Sequence, residues 1–259
     1  MSTIHSTAIV DPKAELDSSV EVGPYSIIDA GVQIGANTRI GPHVVLRGPM
    51  TIGRDNRIFQ FCSLGEISQD KTAKYDDATR VEIGNGNTIR EYVTIQRGTL
   101  KQSGLTSVGD NNWIMAMVHI AHDCHVHNNT VLANGVTLAG HVTIEDFAGL
   151  GGYTLVHQFC RIGAHVYTGG GTLIRKDVPP FVMAEGAEGR ARGLNSEGLK
   201  RRGFSAEDIA AIKDAYKLIY LSGEEMATVK RKLAQMAQTS AAVAQMHHFI
   251  ENSKRAIQR

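Results

Sequence analysis

The sequence has 259 residues, of which 42% are hydrophobic and 20% charged, and its formal net charge is +1. This is the composition of an ordinary globular chain that is long enough to bury a sizeable core. No segment approaches the roughly 18 to 20 consecutive apolar residues that a membrane-spanning helix needs, and the first residues show no export signal. We therefore expect a cytoplasmic chain without a membrane span.

Charge is unevenly distributed along the chain. Residues 1–185 contain 14 Lys and Arg against 18 Asp and Glu, whereas residues 186–259 contain 13 against 8. A local basic excess favours an acidic or phosphorylated partner over nucleic acid bound along the whole chain. Solvated helix faces would give the same composition, so both interpretations stay open.

A six-residue repeat dominates the first two thirds of the chain. Aliphatic residues recur at every sixth position from Val10 to Leu64, from Ile83 to Ile95 and from Val108 to Ile174, with Thr168 as the one exception. Small or β-branched residues such as Ala8 and Val20 lie two positions earlier. This spacing fits neither a helix nor a simple strand, but it fits a short strand followed by a corner. Three repeats then form one triangular coil of 18 residues, and coils stack about 4.8 Å apart.

Glycine often follows the aliphatic position, as at Gly23, Gly35 and Gly163. We expect these glycines to supply corner conformations with positive φ. The repeat is interrupted over residues 66–80 and 98–107, which are polar and predict loops ejected from the prism.

The repeat stops at Pro179-Pro180, and we expect residues 1–185 and 186–259 to form separate domains. Ser205 followed by Asp208 predicts the start of a helix that runs to Ser222-Gly223. Two further helices are predicted at about residues 224–237 and 240–256, and together the helices would cap the last coil.

All three cysteines occupy the small inward position of the repeat. Cys124 and Cys160 are 36 residues, or two coils, apart, which is beyond the reach of a disulfide. We interpret Cys62, Cys124 and Cys160 as buried thiols in a reducing compartment.

Six of the 11 histidines lie within 39 residues of one another: His119, His122, His125, His127, His141 and His157. The 18-residue coil places His141 beside Asp123 and puts His157 in the column next to His122. An imidazole with an adjacent carboxylate is the usual general base near neutral pH. His122 with Asp123 is therefore the candidate base, and the segment lacks a Ser or Cys nucleophile signature, which favours direct attack by a substrate hydroxyl.

A metal site is the competing interpretation. His122 and His127 have the spacing found in hexapeptide-fold zinc carbonic anhydrases, but no third histidine lies about two coils earlier. We expect no metal ion and no other cofactor.

Five segments resemble one known family. They are Ile120-Ala121-His122-Asp123-Cys124, Leu138-Ala139-Gly140-His141, Val156-His157-Gln158-Phe159, Asp177-Val178-Pro179-Pro180 and residues 198–204, Gly-Leu-Lys-Arg-Arg-Gly-Phe. Together they resemble the acyl carrier protein-dependent UDP-N-acetylglucosamine O-acyltransferases, which start lipid A biosynthesis. The resemblance covers essentially the whole chain, and it implies a left-handed parallel β-helix with an α-helical C-terminal domain.

The family assembles as a homotrimer with active sites in clefts between neighbouring β-helices. Carried over by matching motifs, His122 would deprotonate the glucosamine 3-hydroxyl, Asp123 would support it, and the Gly140 N–H would stabilise the oxyanion. The donor would be a 3-hydroxyacyl thioester of acidic acyl carrier protein, in keeping with the basic excess after residue 185.

The resemblance also implies residues that bind substrate. The site lining would be His119, His141, His157 and Gln158, the nucleotide would face Asn195, Glu197, Arg201 and Arg202, and the first loop would offer Asp70 and Lys74. Gly170 matches a position that limits acyl length, and glycine there implies a deep groove and a longer chain.

Two features depart from the family pattern. Gln96 stands where the family usually has histidine, and glutamine carries no titratable proton. The first loop is one residue longer, which leaves open whether Lys71 or Lys74 is the equivalent lysine.

Two alternatives remain beside this prediction. One is a paralogous enzyme of the same fold that acylates an amino group, with coenzyme A as an alternative acyl carrier. The other is a catalytically silent hexapeptide scaffold that only displays a trimer surface.

Overall fold

The computed structural model describes residues 3–258, and most of this length forms a three-sided prism of short strands. Each coil passes in turn through three sheets, which we call sheets I, II and III. Sheet I contains Thr3–Ile4, Glu21–Val22, Arg39–Ile40, Arg57–Ile58, Thr88–Ile89, Trp113–Ile114, Val131–Leu132, Gly149–Leu150, Tyr167–Thr168, Val182–Glu185 and Arg190–Leu194. Sheet II contains Ile9–Val10, Ile27–Ile28, Val45–Leu46, Ser63–Glu66, Thr94–Gln96, His119–Ile120, Thr137–Leu138, Leu155–Val156 and Leu173–Ile174. Sheet III contains Glu15–Leu16, Val32–Ile34, Met50–Ile52, Arg80–Ile83, Leu105–Val108, His125–Val126, Thr143–Ile144 and Arg161–Ile162.

Strands one coil apart pair in parallel, for example Glu21 with Arg39 in sheet I and Ile28 with Leu46 in sheet II. The coils wind as a left-handed parallel β-helix, so the predicted fold is confirmed. Because register is fixed coil by coil, residues 18 apart in uninterrupted sequence become neighbours along one column.

The aliphatic positions of the repeat fill the inside of the prism. Leu46, Ile95, Ile120 and Leu138 are fully buried, and burying such a side chain stabilises a fold by about 1.5–3 kcal/mol. The exception, Thr168, is buried as well, and its hydroxyl lies 2.7 Å from Thr154 Oγ1. The polar group is therefore tolerated because it is hydrogen-bonded.

The corners of the prism correct one prediction. Glycines such as Gly23 and Gly163 do not have positive φ; that conformation falls two residues later, at Tyr25 (φ 60°) and His165 (φ 59°). Glycine is needed at 23 because a Cβ there would lie 2.7 Å from the carbonyl carbon of Gly41 in the next coil. Close approach of stacked coils, not left-handed backbone, selects these glycines.

Two loops leave the prism between sheets II and III, in consecutive coils. The first runs from residue 67 to 79, between Ser63–Glu66 and Arg80–Ile83, as predicted to within one residue at each end. The second runs from residue 97 to 104 and ends three residues earlier than predicted. The reason is that Leu105–Val108 pairs in register with Arg80–Ile83 and so belongs to sheet III.

The β structure extends further than the sequence predicts. Val182–Glu185 pairs in parallel with Tyr167–Thr168. Pro179 and Pro180 come before this strand and therefore do not end the β structure. Arg190–Leu194 then turns back antiparallel to it, beyond residue 185. The division of the chain into domains at residue 185 stays a prediction.

Four helices follow: α1 (Ser196–Arg201), α2 (Ala206–Tyr220), α3 (Met226–Met236) and α4 (Ala241–Glu251). The predicted cap of α2 is present, since Ser205 and Asp208 form a capping box. Helix α1 was not predicted, and α4 ends five residues before its expected end. The helices pack around their own core, which includes Phe181, Leu233 and Phe249. Within residues 3–258, no helix combines the length and hydropathy needed to cross a bilayer.

The cysteines lie in the inward positions that the repeat predicts. Cys62, Cys124 and Cys160 are at most 1% exposed and form no disulfide. Burial raises the pKa of each thiol to about 12. The reactive thiolate is therefore scarce at neutral pH, which argues against a cysteine nucleophile.

Candidate active site

A buried carboxylate meets an imidazole at the corner between sheets II and III. His122 Nδ1 lies 2.9 Å from Asp123 Oδ2, and Asp123 is only 2% exposed. An ionised carboxylate accepts hydrogen bonds only, so the Nδ1 of His122 carries the proton and Nε2 is the basic nitrogen of the neutral ring. The two residues that the sequence singles out thus form a hydrogen-bonded pair of the kind used in general-base catalysis.

The second loop holds the carboxylate of Asp123 in place. Thr99 donates to Asp123 Oδ2 from its backbone N–H at 3.1 Å and from its hydroxyl at 2.7 Å. The two ends of this loop lie close together, since a Cβ at Gly98 would lie 2.2 Å from the carbonyl carbon of Gly104. Thr106 Oγ1 in turn accepts the N–H of Asp123 at 2.8 Å. The carboxylate is therefore fixed before any substrate arrives.

His141 lies one coil beyond Asp123, as the 18-residue column predicts. Its Nδ1 is 3.8 Å from Asp123 Oδ2, too long for a hydrogen bond, and it has no partner among the described residues. The ring stacks on Phe159 with centroids 4.4 Å apart and meets His122 edge-on at 4.9 Å. Burial lowers the pKa of His141 in spite of the opposing effect of Asp123. His141 therefore adds a mostly neutral imidazole to the site.

Gly140 leaves the space that the His122 ring occupies. A Cβ at residue 140 would lie 2.4 Å from His122 Cε1 and 2.6 Å from its Nε2. The backbone N–H of Gly140 donates to no acceptor within residues 3–258. Glycine here leaves room for the candidate base, and its N–H is an unpaired donor among the described residues, next to the His122 ring.

The six histidines do not form one cluster. His119 Nδ1 lies 2.7 Å from Thr94 Oγ1 on sheet II, and burial lowers its pKa. His125 instead lies on sheet III, where its Nδ1 is 2.8 Å from Ser107 Oγ, and His127 follows the same strand. His122 and His141 are therefore the histidines that lie against Asp123, and His119 lies near His122.

His157 and Gln158 lie further along the same corner and are exposed. His157 Nδ1 is 3.2 Å from the guanidinium of Arg255, a residue that the sequence did not single out. The structure thus places both predicted lining residues on the side of the prism that carries His122.

The two loops cover the coils that precede this corner. Asp70 of the first loop pairs with Lys101 of the second at 2.5 Å, and this contact lowers the pKa of Asp70. Gln96, the departure from the family pattern, accepts the N–H of Gln69 at 3.1 Å. Lys74 is exposed, and its hydrogen bonds are made by its backbone: its N–H donates to Asp77 Oδ2 and its carbonyl accepts the N–H of Asp77. Gln96 therefore ties the first loop to the prism.

The residues predicted to bind nucleotide lie elsewhere on the chain. Asn195, Arg201 and Arg202 line a cavity of about 520 Å³ against sheet I, the side of the prism opposite the corner of His122. Arg202 lies 4.2 Å from the ring centroid of Phe147, and burial lowers its pKa. Asn195 caps α1 by accepting the N–H of Gly198. One chain alone does not bring this group to His122.

Two further predicted residues also lie apart from His122. Glu197 is exposed on the first turn of α1 and pairs with Lys200 at 2.9 Å. Gly170 is exposed at the corner between sheets I and II, where a Cβ would meet only ordinary contact at 3.5 Å. A larger residue at 170 would therefore fit the fold and project outward.

One group of side chains within residues 3–258 has the geometry to share a metal ion: His122, Asp123 and His141, whose ligand atoms lie within 4.8 Å of one another. The existing hydrogen bonds argue against this role. Oδ2 of Asp123 already accepts from both donors of Thr99 and from His122 Nδ1. A metal ion would have to displace the His122 contact, so the donor set fits a general base better than a zinc site.

Comparisons with known proteins identify the family. Residues 177–258 match the model of the second domain of UDP-N-acetylglucosamine O-acyltransferase, and residues 13–48 and 106–140 match the bacterial transferase hexapeptide model. The chain is 57% identical over 258 residues to an acyl-[acyl-carrier-protein]--UDP-N-acetylglucosamine O-acyltransferase from Thiobacillus denitrificans, with 99% of each chain covered. The chain belongs to the UDP-N-acetylglucosamine O-acyltransferase family.

Solved structures of this family have the same fold. The enzyme from Francisella novicida superposes with a TM-score of 0.97 at 42% identity, covering 99% of this chain and 94% of that one. The Arabidopsis enzyme gives a TM-score of 0.80 at 33% identity, covering 99% of this chain and 100% of that one. The family resemblance inferred from the five sequence motifs is therefore confirmed.

Sequence reasoning missed two residues that contact the predicted site residues. Thr99 lies within the predicted second loop. Its position one coil before Asp123, at the same corner, could have indicated this contact. Arg255 gave no such hint, because no repeat register connects residues 253–258 to His157. Only the path of the chain after α4 shows that contact.

Proposed function

We propose that this chain transfers a 3-hydroxyacyl group from acyl carrier protein to the 3-hydroxyl of UDP-N-acetylglucosamine, the first step of lipid A biosynthesis, with His122 as the general base. Full-length relatives at more than 50% identity are named acyl-[acyl-carrier-protein]--UDP-N-acetylglucosamine O-acyltransferase, which gives the donor and the acceptor of this reaction. The observation that carries the mechanism is the His122–Asp123 hydrogen bond, fixed from behind by Thr99.

The chemistry follows from that bond. The Nε2 of His122 takes the proton of the sugar hydroxyl as its oxygen attacks the thioester carbonyl carbon. Asp123 stabilises the imidazolium that forms. The tetrahedral intermediate then collapses, the C–S bond breaks, and the imidazolium returns the proton to the departing thiolate. No covalent acyl-enzyme is required, in keeping with three buried thiols of raised pKa.

The oxyanion needs a donor close to the base. The N–H of Gly140 is unengaged within residues 3–258, and the His122 ring lies directly against this residue. We assign it to the negative oxygen of the intermediate, where a preorganised N–H has its largest effect. His119, His141, His157 and Gln158 line the remainder of the site in this proposal.

A homotrimer would bring together the two groups of predicted site residues, which are far apart on one chain. His122 lies at the corner between sheets II and III, whereas Asn195, Arg201 and Arg202 lie against sheet I. In a cyclic trimer of prisms, sheet I of one chain can face that corner of the next chain. The base of one protomer would then meet the nucleotide side chains of its neighbour, and an arginine pair suits a diphosphate.

The remaining substrate contacts are assigned by position. Asp70 and Lys74 of the first loop would hold the sugar, Glu197 would face the nucleotide, and Gly170 would leave room for the end of the acyl chain. The basic surplus of residues 186–259 would attract the acidic carrier protein. All substrates are soluble or carried on a soluble protein, so we place the reaction in the cytoplasm.

An acyl-transfer assay tests the function. Purified protein should transfer 3-hydroxyacyl groups from acyl carrier protein to UDP-N-acetylglucosamine faster than to its 3-amino analogue. Faster transfer to the amino analogue would identify an N-acyltransferase, and no transfer to either would identify a silent scaffold. Chromatographic mass measurement of the same sample should give three chains per particle, and a monomer would contradict the shared site.

A further inference from the structure

The segment after α4 is anchored to the last coil of the prism. Asp177 is 1% exposed, and its carboxylate accepts the hydroxyl of Ser253 at 2.6 Å and the N–H of Arg161 at 2.8 Å. The N–H of Gln258 donates to the backbone carbonyl of Asp177 at 2.7 Å. A buried carboxylate and the backbone thus fix the path of residues 253–258 on both sides of Arg255.

This anchoring brings Arg255 to the candidate active site. Its Nη1 lies 3.2 Å from His157 Nδ1 and also donates to the backbone carbonyl of Gln158. A guanidinium has donors only, so the contact with His157 requires an unprotonated Nδ1. The neutral ring then carries its proton on Nε2. The carbonyl oxygen of Gln158 lies equally close to Nδ1, at 3.2 Å, but a proton on Nδ1 would lie next to the positively charged guanidinium, so the charge of Arg255 favours the proton on Nε2.

We infer that Arg255 is a positioning residue that fixes the ring of His157 and keeps its proton on Nε2, so that His157 offers the substrate a hydrogen-bond donor. The inference rests on the proposed function, in which His157 lines the acyltransferase site. His157 and His122 are then held in opposite tautomers by partners of opposite charge. Asp123 makes Nε2 of His122 an acceptor for the sugar proton, whereas Arg255 makes Nε2 of His157 a donor to a substrate oxygen.

A double-mutant cycle tests the connection between the two residues. Arg255→Gln should lower kcat/KM about tenfold, because a hydrogen bond from a charged donor is lost. His157→Ala should lower it at least as much, and the double variant should be no worse than His157→Ala alone. Arg255→Lys, which keeps one charged donor, should recover part of the loss. Losses that add in the double variant, or full activity of Arg255→Gln, would overturn the inference.

Lys254→Gln is the matched control, since it removes one positive charge from the adjacent exposed residue. It should keep near wild-type kcat/KM and the same unfolding temperature as Arg255→Gln. An equal loss of activity in both variants would mean that only the charge of the segment matters, and would reject a specific role for Arg255.

A spectroscopic measurement gives an answer that does not depend on turnover. In protein labelled with ¹⁵N-histidine, His157 should show an unprotonated Nδ1 and a protonated Nε2, assigned by the signal that disappears in His157→Ala. Arg255→Gln should mix the two tautomers. A protonated Nδ1 in the wild-type protein would contradict the inference even if the enzyme is active. Absence of acyl transfer with the expected tautomer would instead contradict the proposed function.

Discussion

Two corners of the same prism place a histidine in a left-handed conformation beside an aromatic ring. His43 (φ 55°) lies between sheets I and II and stacks between Tyr25 and Phe61, with centroids 5.1 and 5.4 Å away. His141 (φ 64°) lies between sheets II and III and stacks on Phe159 at 4.4 Å. The repeat therefore builds almost the same local structure at both corners.

The difference between the corners is what surrounds the ring. Tyr25 is 59% and Phe61 46% exposed beside His43, and the ejected loops leave the prism at the other corner. His141 faces a carboxylate that is 2% exposed and bound by Thr99 from the second loop. Neither a histidine nor the corner geometry therefore distinguishes the candidate site. The distinguishing feature is the buried carboxylate of Asp123, to which the second loop is hydrogen-bonded.

The largest expected effect separates the two corners directly. His122→Ala removes the proposed base, and we expect at least about a 100-fold loss of kcat. His43→Ala, which changes a histidine at the other corner, should leave kcat within about twofold. Steady-state acyl-transfer rates of the two variants give the answer. Similar rates in both would remove the distinction between the corners.

A smaller effect is expected from filling the space beside the base. Gly140→Ala forces the His122 ring to move, because its Cβ would lie 2.4 Å from Cε1. We expect a 10- to 100-fold loss of kcat, since misplacing a catalytic group by about 1 Å costs up to about 100-fold. Gly152→Ala is the control, where the nearest atom is 3.4 Å away. The account fails here if the two variants turn over equally fast.

The hydroxyl of Thr99 is the feature of the second loop that binds Asp123 most closely. Thr99→Val keeps the shape of the side chain but leaves the carboxylate of Asp123 with one fewer donor. Such a loss corresponds to about tenfold in kcat, while Thr99→Ser should stay close to wild type. Rates for both variants, with circular dichroism to verify folding, test the role. A defect in Thr99→Ser as large as that in Thr99→Val would assign the effect to packing of the loop.

A still smaller effect concerns stability and comes from His165, which lies at the corner between sheets III and I. Burial lowers the pKa of His165 to about 4, with Arg202 as a second cause. The unfolded chain therefore binds more protons than the folded one between about pH 6.5 and pH 4, and stability falls as the pH falls through this range. The lowered pKa values of His119, His125 and His141 act in the same direction.

His165→Phe should reduce this pH dependence. The ring of His165 stacks between Phe147 and Phe181 at 4.9 and 5.7 Å, so phenylalanine preserves the stack and removes the titrating group. The unfolding temperature of the wild type should drop between about pH 7 and pH 5, and that of His165→Phe should drop less. An undiminished drop in the variant would show that His165 does not contribute.

Much of the fold was predictable because one physical pattern repeats. An aliphatic residue every six positions specifies both strand and corner, and so it fixes the coil and the column that join Asp123 to His141. The second loop end, helix α1 and the strand Arg190–Leu194 were not predictable in this way. The second loop ends where Leu105 pairs with Arg80 of the preceding coil, and Arg190–Leu194 is a strand because it pairs with Val182–Glu185. The six-residue repeat predicts neither pairing.

The candidate site, like the fold, could be predicted only in part from the sequence. The His122–Asp123 pair is adjacent in sequence and could be recognised from two residues of complementary chemistry. The roles of Thr99 and Arg255 depend on how a loop and a terminal segment return to the prism. The predicted nucleotide residues were named from family motifs, but their distance from His122 on one chain could be seen only in three dimensions.

The most direct test of the account is the position of the bound sugar. A crystal structure with UDP-N-acetylglucosamine should place its 3-hydroxyl about 2.6–3.2 Å from His122 Nε2, with the Asp123 contact intact. A sugar bound out of reach of His122, or an ion held jointly by His122 and His141, would contradict the central claim.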